Sequence, residues 1–182
     1  LAGLVKSEGH TPPEVVVDGL SGSGKARLLM QDTIVQLFGD SPNGHLDRVF
    51  RYDKDMRDKA RGIFDRLQTN CASALSSLNA SMSFGDRADP NTVLQAKLAL
   101  AAERLVSNPL LLVLDEPGWC LSKAAAQVFV QELAKCAHER KTALALISHQ
   151  ADWWRNIAKD ELRLHARTKP NETVLVSKEK ST

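Results

Sequence analysis

LLLVLDEP, residues 110–117, is a run of five apolar residues followed by two acids and a proline. Such a run predicts a strand that is buried on both faces, as strands of parallel sheets are. Two further runs have the same character, EVVVD at 14–18 and TALALIS at 142–148. Buried strands that alternate with helical segments predict an α/β fold in three layers around a mainly parallel sheet.

The rest of the chain supplies the helices and a terminal hairpin. Three segments are predicted as helical. The first begins near Lys25 and runs through RLLMQDTIVQLF, the second covers most of 53–106, and the third is SKAAAQVFVQELAKCAHER at 122–140. LDRVF at 46–50 is predicted as a short strand. ELRLHA and ETVLVSK flank a Lys169-Pro170-Asn171 turn, which predicts a hairpin. Residues 1–13 end in two prolines and are predicted as a loose lead-in.

Composition narrows the class of protein. The chain has 182 residues, 43% apolar residues, 25% charged residues and a formal net charge of +2, which fits one globular domain. The chain contains no run of 18 or more apolar residues, which is about the length needed to cross a bilayer. The three cysteines show neither zinc-ligand spacing nor a disulfide framework. A cytoplasmic protein without a secretory signal is expected.

Gly19-Leu20-Ser21-Gly22-Ser23-Gly24-Lys25 has the spacing G-x-x-x-x-G-K of a phosphate-binding loop. Glycines allow backbone N–H groups to close around a polyphosphate at a helix N-terminus, whose dipole favours anions. Lys25 would then reach the β and γ phosphates. Ala26 stands where such loops usually have a magnesium-binding Ser or Thr. The alternative is a glycine-rich turn with an exposed lysine.

Polar residues end two of the predicted strands. Asp115 follows a buried strand at the edge where α/β sheets bind ligands, so it could hold Mg²⁺ through water. Glu116 could orient or deprotonate a water that attacks a γ-phosphate. His149 could contact that phosphate. The alternatives are a strand running into a solvated turn and a histidine that merely ends a strand.

In this order of parts, from about Glu14 to Val176, the chain resembles the nucleotide-binding domain of ATP-binding cassette (ABC) ATPases. SNPLLLVLDEP is the most specific piece. The resemblance implies a P-loop NTPase fold with a core at 14–50 and 107–182 and a small helical subdomain at about 53–106. It also implies ATP and Mg²⁺ as ligands. Its site residues would be Gly19 to Lys25 with the adjoining Ala26 and Arg27 as Walker A, Asp115 as the Walker B aspartate, Glu116 as the catalytic glutamate and His149 as the switch histidine.

Several positions depart from that family. The signature LSGGQ falls on Asn91–Gln95, where Val93 and Leu94 replace both glycines, or alternatively on 83–86, which keeps one. Arg51 follows LDRVF where a metal-binding Gln is expected, and Gln31 and Gln36 lie too close to the phosphate loop to replace it. Ser122 stands in place of the D-loop aspartate. These changes, with Ala26, predict a subunit that binds ATP but hydrolyses it slowly.

Three functions remain open from the sequence. The first is an ABC-type ATPase subunit that drives a conformational change in a partner. It would work as a homo- or heterodimer with another ABC domain, reaching the inner membrane only through a separate membrane subunit. The second is a non-hydrolysing regulatory or assembly module. The third is a DNA-repair type of ABC ATPase, but the basic residues between Arg48 and Arg61 alternate with acids, which favours a solvated helix face. Of the adjacent Trp153 and Trp154, one ring is expected in the core, and an interface contact is an alternative for the other.

Overall fold

A computed structural model describes residues 26–72 and 89–158, together with the backbone of 161–164 and 176–179. It divides into two compact units, one that ends at His149 and one that begins at Gln150. The lead-in, the EVVVD segment, the glycine loop 19–25 and the alternative signature at 83–86 lie outside the described residues.

The first unit contains a parallel sheet of three strands, β1 (Ala26–Leu29), β2 (Leu111–Asp115) and β3 (Ala143–Ile147). Their order is β1-β2-β3, so LLLVLDEP supplies the central strand. Leu29 is paired with Leu114, and Leu114 with Leu146. The predicted parallel sheet is confirmed, and so are two of its three strands, β2 and β3.

The helix predicted from Lys25 is wrong, because Ala26–Leu29 forms β1. ARLL contains good helix formers, but pairing with the buried β2 outweighs an intrinsic preference of a few tenths of a kcal/mol per residue. After β1 the chain makes only a short 3₁₀ turn, Ile34–Gln36. The Gln36 side-chain amide closes this segment by donating to the Asp32 carbonyl at 2.9 Å.

LDRVF does not form the predicted strand, since most of it belongs to helix α1 (Pro42–Val49). Ser41 caps the helix by accepting a hydrogen bond from the Gly44 N–H at 3.1 Å. Pro42 occupies the first turn, where its fixed φ suits a helix. SPNG therefore begins a helix here, although the same residues are also typical of turns.

Three longer helices complete the first unit, α2 (Lys54–Cys71), α3 (Pro90–Leu105) and α4 (Lys123–Glu139). Each has a polar N-cap, and these caps are Asp53, Asp89 and Ser122. Helix α3 is buried from Thr92 to Ala102 and contacts α1, α2, α4 and β1. It is the centre of the core, and the predicted helical character of 53–106 holds where the structure describes it.

Strand β3 is less buried than predicted. Ala143 and Ile147 at its ends are exposed, and the three residues between them are half-buried. Among the described strands β3 lies at an edge of the sheet, with β2 as its neighbour. Its apolar sequence is therefore only partly covered in this part of the chain.

The second unit contains the predicted hairpin, formed by β4 (Glu161–Leu164) and β5 (Val176–Glu179). The strands are antiparallel, with Leu164 paired with Val176, and the turn lies outside the described residues.

Trp154 is buried and Trp153 is half-buried, which confirms that one ring of the pair is in a core. None of the helices in the described residues is both long and apolar enough to traverse a bilayer.

Candidate functional site

The three parallel strands end at the same edge of the sheet, the carboxyl edge. Gln31 comes two residues after the end of β1, Asp115 and Glu116 end β2, and His149 comes two residues after β3. Neighbouring strands lie about 4.8 Å apart, so these segments are close together. The predicted grouping of Asp115, Glu116 and His149 is present in the structure.

Glu116 has the most constrained geometry at this edge. Its φ is 44°, in the left-handed region that non-glycine residues seldom adopt. Its N–H donates to the Ile147 carbonyl at 2.9 Å, which extends the β2–β3 pairing by one residue. Backbone outliers of this kind persist where the surroundings hold them and cluster at functional sites.

The Glu116 carboxylate is oriented by the two residues that follow β3. One oxygen accepts the Ser148 hydroxyl at 3.0 Å, and the other accepts the His149 backbone N–H at 2.6 Å. Its side chain is only 15% exposed. A carboxylate fixed in this way at a ligand-binding edge can accept a hydrogen bond from a water molecule and orient it.

His149 presents its imidazole to solvent, with the side chain fully exposed and Nε2 4.0 Å from the nearer Glu116 oxygen. The ring is thus available to a ligand, while its backbone holds Glu116. Sequence reasoning missed Ser148 as a positioning residue. The only signal was a hydroxyl directly before the histidine at the strand end.

Asp115 is the last residue of β2 and is half-buried. No group of three or more His, Cys, Asp or Glu side chains in the described ranges could bind a metal ion by itself. Mg²⁺ does not require such a group, because it keeps several waters and uses one or two carboxylates together with substrate phosphates. The Asp115 carboxylate and the Gln31 amide oxygen are donors of the kind that Mg²⁺ takes.

Gln31, rather than Arg51, is the residue that follows a strand. Arg51 comes after helix α1, where its guanidinium lies over the Tyr52 ring, 4.3 Å from the centroid. The expectation that Arg51 occupies the glutamine position is therefore wrong. The sequence reasoning had set Gln31 aside because it lies close to the phosphate loop in the chain.

Ala26 and Arg27 lie at the opposite, amino edge of the sheet. They pair with Leu111 and Leu112, three or more residues before Asp115. At about 3.3 Å per residue they are roughly 10 Å or more from the carboxyl edge. Their predicted place at a helix N-terminus beside Asp115 is not what the strand allows.

The signature position, Asn91–Gln95, forms the first turns of α3. Val93 and Leu94 are buried, with exposures of 3% and 0%, so their side chains pack inward. The Asp89 carboxylate accepts the Thr92 N–H at 2.9 Å and the Thr92 hydroxyl at 3.2 Å. The chain's own acid therefore occupies a helix N-terminus that would otherwise favour a phosphate.

Two of the basic residues after α1 lie beside acids. Arg61 contacts Asp47 at 2.5 Å, and Arg57 lies 3.8 Å from both Asp47 and Asp58. This pairing matches the solvated helix face predicted for the segment.

Comparison with known proteins shows the fold. The structure is similar to that of CbiO1 from Clostridium perfringens, described as part of the ABC transporter complex CbiONQ. The TM-score is 0.58 and the identity 20%, and the match covers 75% of this chain and 52% of the other. The chain thus spans about half the length of that neighbour. Neither a family model nor a curated protein matches the sequence. The chain has an ABC ATPase-like fold.

Proposed function

We propose that this chain forms the magnesium-binding and water-activating half of an ABC-type ATP hydrolysis site. One observation carries the proposal: Ser148 and the His149 N–H hold the Glu116 carboxylate at the sheet edge where β1 leads to Gln31 and β2 ends in Asp115. The fold similarity is consistent with it.

Each of these residues would have a separate role in ATP hydrolysis. Asp115 and Gln31 would hold Mg²⁺, which neutralises phosphate charge when ATP is bound. Glu116 would orient the attacking water and accept its proton, since its carboxylate is fixed and at a ligand-binding edge. The exposed His149 ring would donate a hydrogen bond to the γ-phosphate of the substrate.

Residues 19–25 lie outside the described part of the chain, but the position of β1 bears on whether they can serve as the phosphate loop of this site. A phosphate loop leads its lysine into a helix, whereas Lys25 precedes a strand. We therefore favour a phosphate loop that reaches this edge from another segment.

The partner in this proposal is another ABC domain, the same or different. Asp89 and the inward-facing Val93 and Leu94 make this chain's signature position a poor contact for the partner's nucleotide. The pair would then have one hydrolytic site that uses Glu116 and one weakened site. A separate membrane subunit that responds to this asymmetric pair is part of the same proposal.

The test is ATP binding and turnover by the full-length protein with Mg²⁺. Glu116→Gln should retain ATP binding and lose turnover by roughly 100-fold or more, the size of a general-base contribution. Asp65→Asn on the exposed face of α2 is the matched control and should behave as wild type. Unchanged turnover in Glu116→Gln would overturn the enzymatic role and leave a non-hydrolysing module.

Lys25→Ala tests the phosphate loop separately. ATP binding should be unchanged if another segment supplies that loop. Loss of binding in Lys25→Ala, with Glu116→Gln still behaving as expected, would restore residues 19–25 as the phosphate loop and leave the carboxyl-edge site intact.

A further inference from the structure

A cavity of about 160 Å³ lies between the segment after β1, the start of α3 and the turn after β2. The residues that line it include Asp32, Val35, Val93 and Trp119, and none of the residues assigned to ATP and Mg²⁺ is among them. A cavity of about 150 Å³ holds a benzene molecule, so this one takes a ligand of roughly six to eight non-hydrogen atoms.

Asp32 gives the cavity a negative charge. The Ile34 N–H donates to one oxygen of its carboxylate at 3.2 Å, and the Gln36 amide donates to its backbone carbonyl at 2.9 Å. These two bonds orient the Asp32 side chain within its own segment. Among the described residues that line the cavity, Asp32 supplies the only carboxylate and no Lys or Arg is present. The cavity therefore favours a ligand with a positive charge.

Trp119 gives the cavity an aromatic wall. Its indole ring is 51% exposed, and no other ring or cation is stacked on it in the described part of the chain. Hydrogen bonds fix the turn that carries it, from the Trp119 N–H to the Glu116 carbonyl at 2.9 Å and from the Leu121 N–H to the Gly118 carbonyl at 3.0 Å. Indole is the aromatic side chain that attracts cations most strongly.

The rest of the lining decides which kind of cation fits. A primary ammonium has three N–H donors, and each one needs an acceptor when it leaves water. Besides Asp32, the acceptors on the lining side chains are the buried Thr33 hydroxyl and the Cys120 thiol, which is a weak acceptor. A quaternary ammonium has no N–H donors, and its methyl groups can pack against Val35 and Val93.

A second charge acts on the cavity from a distance. Lys97 does not line it and is 0% exposed, so a ligand there does not contact the ammonium. Burial lowers the pKa of Lys97 to about 8, while the nearby Cys120 and Asp32 raise it. The Lys97 charge therefore offsets part of the Asp32 charge and weakens the attraction for a cation. We expect a dissociation constant on the order of 1 mM for that reason.

We propose that this cavity binds a small quaternary ammonium ion such as choline. The cationic head lies against the Trp119 ring and the Asp32 carboxylate, and its methyl groups pack on Val35 and Val93. The site does not depend on the ATP site proposed above, so the failure of either proposal leaves the other in place.

The probe is choline, titrated into the full-length protein while backbone and indole N–H signals are followed by NMR. Its uncharged control is 3,3-dimethylbutan-1-ol, which has the same shape with carbon in place of the nitrogen. Choline should saturate with shifts at the Trp119 indole N–H and at the amides of residues 32–35. The alcohol should bind roughly 10-fold more weakly, because it lacks the attraction to Asp32 and to the indole ring. Ethanolamine, the primary amine, should also bind more weakly.

Two exposed positions provide the variants, so the fold is expected to persist in both. Asp32→Asn keeps an acceptor for the Ile34 N–H and should weaken choline binding roughly 3- to 10-fold, as should Trp119→Leu. Asp40→Asn removes an exposed acid outside the cavity and should bind as wild type. Absence of saturable choline binding to the wild type would overturn the proposal. So would equal binding of the alcohol, or unchanged choline binding in Asp32→Asn.

Discussion

Strands β2 and β3 are adjacent in one sheet and similarly apolar, yet they differ in burial. Leu114 of β2 is fully buried, whereas its register partner Leu146 of β3 is half-buried. Strand β2 has a strand on each side and β3 has one in the described part of the chain. The burial of a strand depends on which other elements pack against it, and a run of apolar residues does not specify those elements. Hydrogen bonds hold the residues on either side of β3. The Thr142 hydroxyl donates to the Pro109 carbonyl, and the Ser148 hydroxyl donates to the Glu116 carboxylate.

The largest expected difference between the two strands is in side-chain truncation. Leu114→Ala should lower the free energy of unfolding by about 4 kcal/mol, because it removes fully buried methyl groups and leaves a cavity. Leu146→Ala should cost about 1–2 kcal/mol, since part of that side chain already contacts water. Urea denaturation of both variants measures the difference, and equal costs would show that β3 is as well covered as β2.

The buried centre also carries a charge, on Lys97 of α3. Its folded pKa of about 8 lies below the ordinary 10.5, so between these pH values the unfolded chain binds more protons. The free energy of unfolding of the wild type should therefore rise, relative to Lys97→Met, by on the order of 3 kcal/mol between pH 7 and 10.5. Denaturation of both proteins across this range is the measurement, and a constant difference would contradict the burial of a charged amine.

At the carboxyl end of β3, Glu116→Ala should cost about 2 kcal/mol. It removes a charged acceptor from the Ser148 hydroxyl and the His149 N–H. Glu116→Gln keeps one carbonyl oxygen and should cost about half as much. Hydrogen exchange of the His149 amide gives a local measurement, with faster exchange expected in Glu116→Ala. Unchanged exchange would show that the carboxylate does not hold the strand end.

The smallest effect is expected at the amino end of β3. The buried Thr142 hydroxyl donates to the Pro109 carbonyl at 2.6 Å, so Thr142→Val should cost about 1 kcal/mol. Thr69→Val on the exposed face of α2 is the control, since its hydroxyl donates to a carbonyl within its own helix, Asp65. Its cost should stay within about 0.5 kcal/mol in the same denaturation assay. Equal costs would mean that this bond does not stabilise β3.

The sequence predicted those parts of the fold that depend on local pattern. β2, α4 and the terminal hairpin follow from apolar runs and periodicity, and Asp115, Glu116 and His149 follow from the ends of strands. β1 was missed because ARLL favours a helix until it pairs with β2. Gln31 was set aside because it lies close to the phosphate loop in the chain, and its position after a strand depends on that same pairing. Ser148 and Lys97 could not be assigned, since their roles depend on contacts between distant segments.

The central claim is that Mg²⁺ and ATP bind at the carboxyl edge of β1, β2 and β3. A crystal structure of the full-length Glu116→Gln variant with Mg-ATP tests it directly. The account predicts the metal ion beside Asp115 and Gln31, and the γ-phosphate between residue 116 and His149. Nucleotide bound at the amino edge near Ala26, away from these four residues, would contradict it.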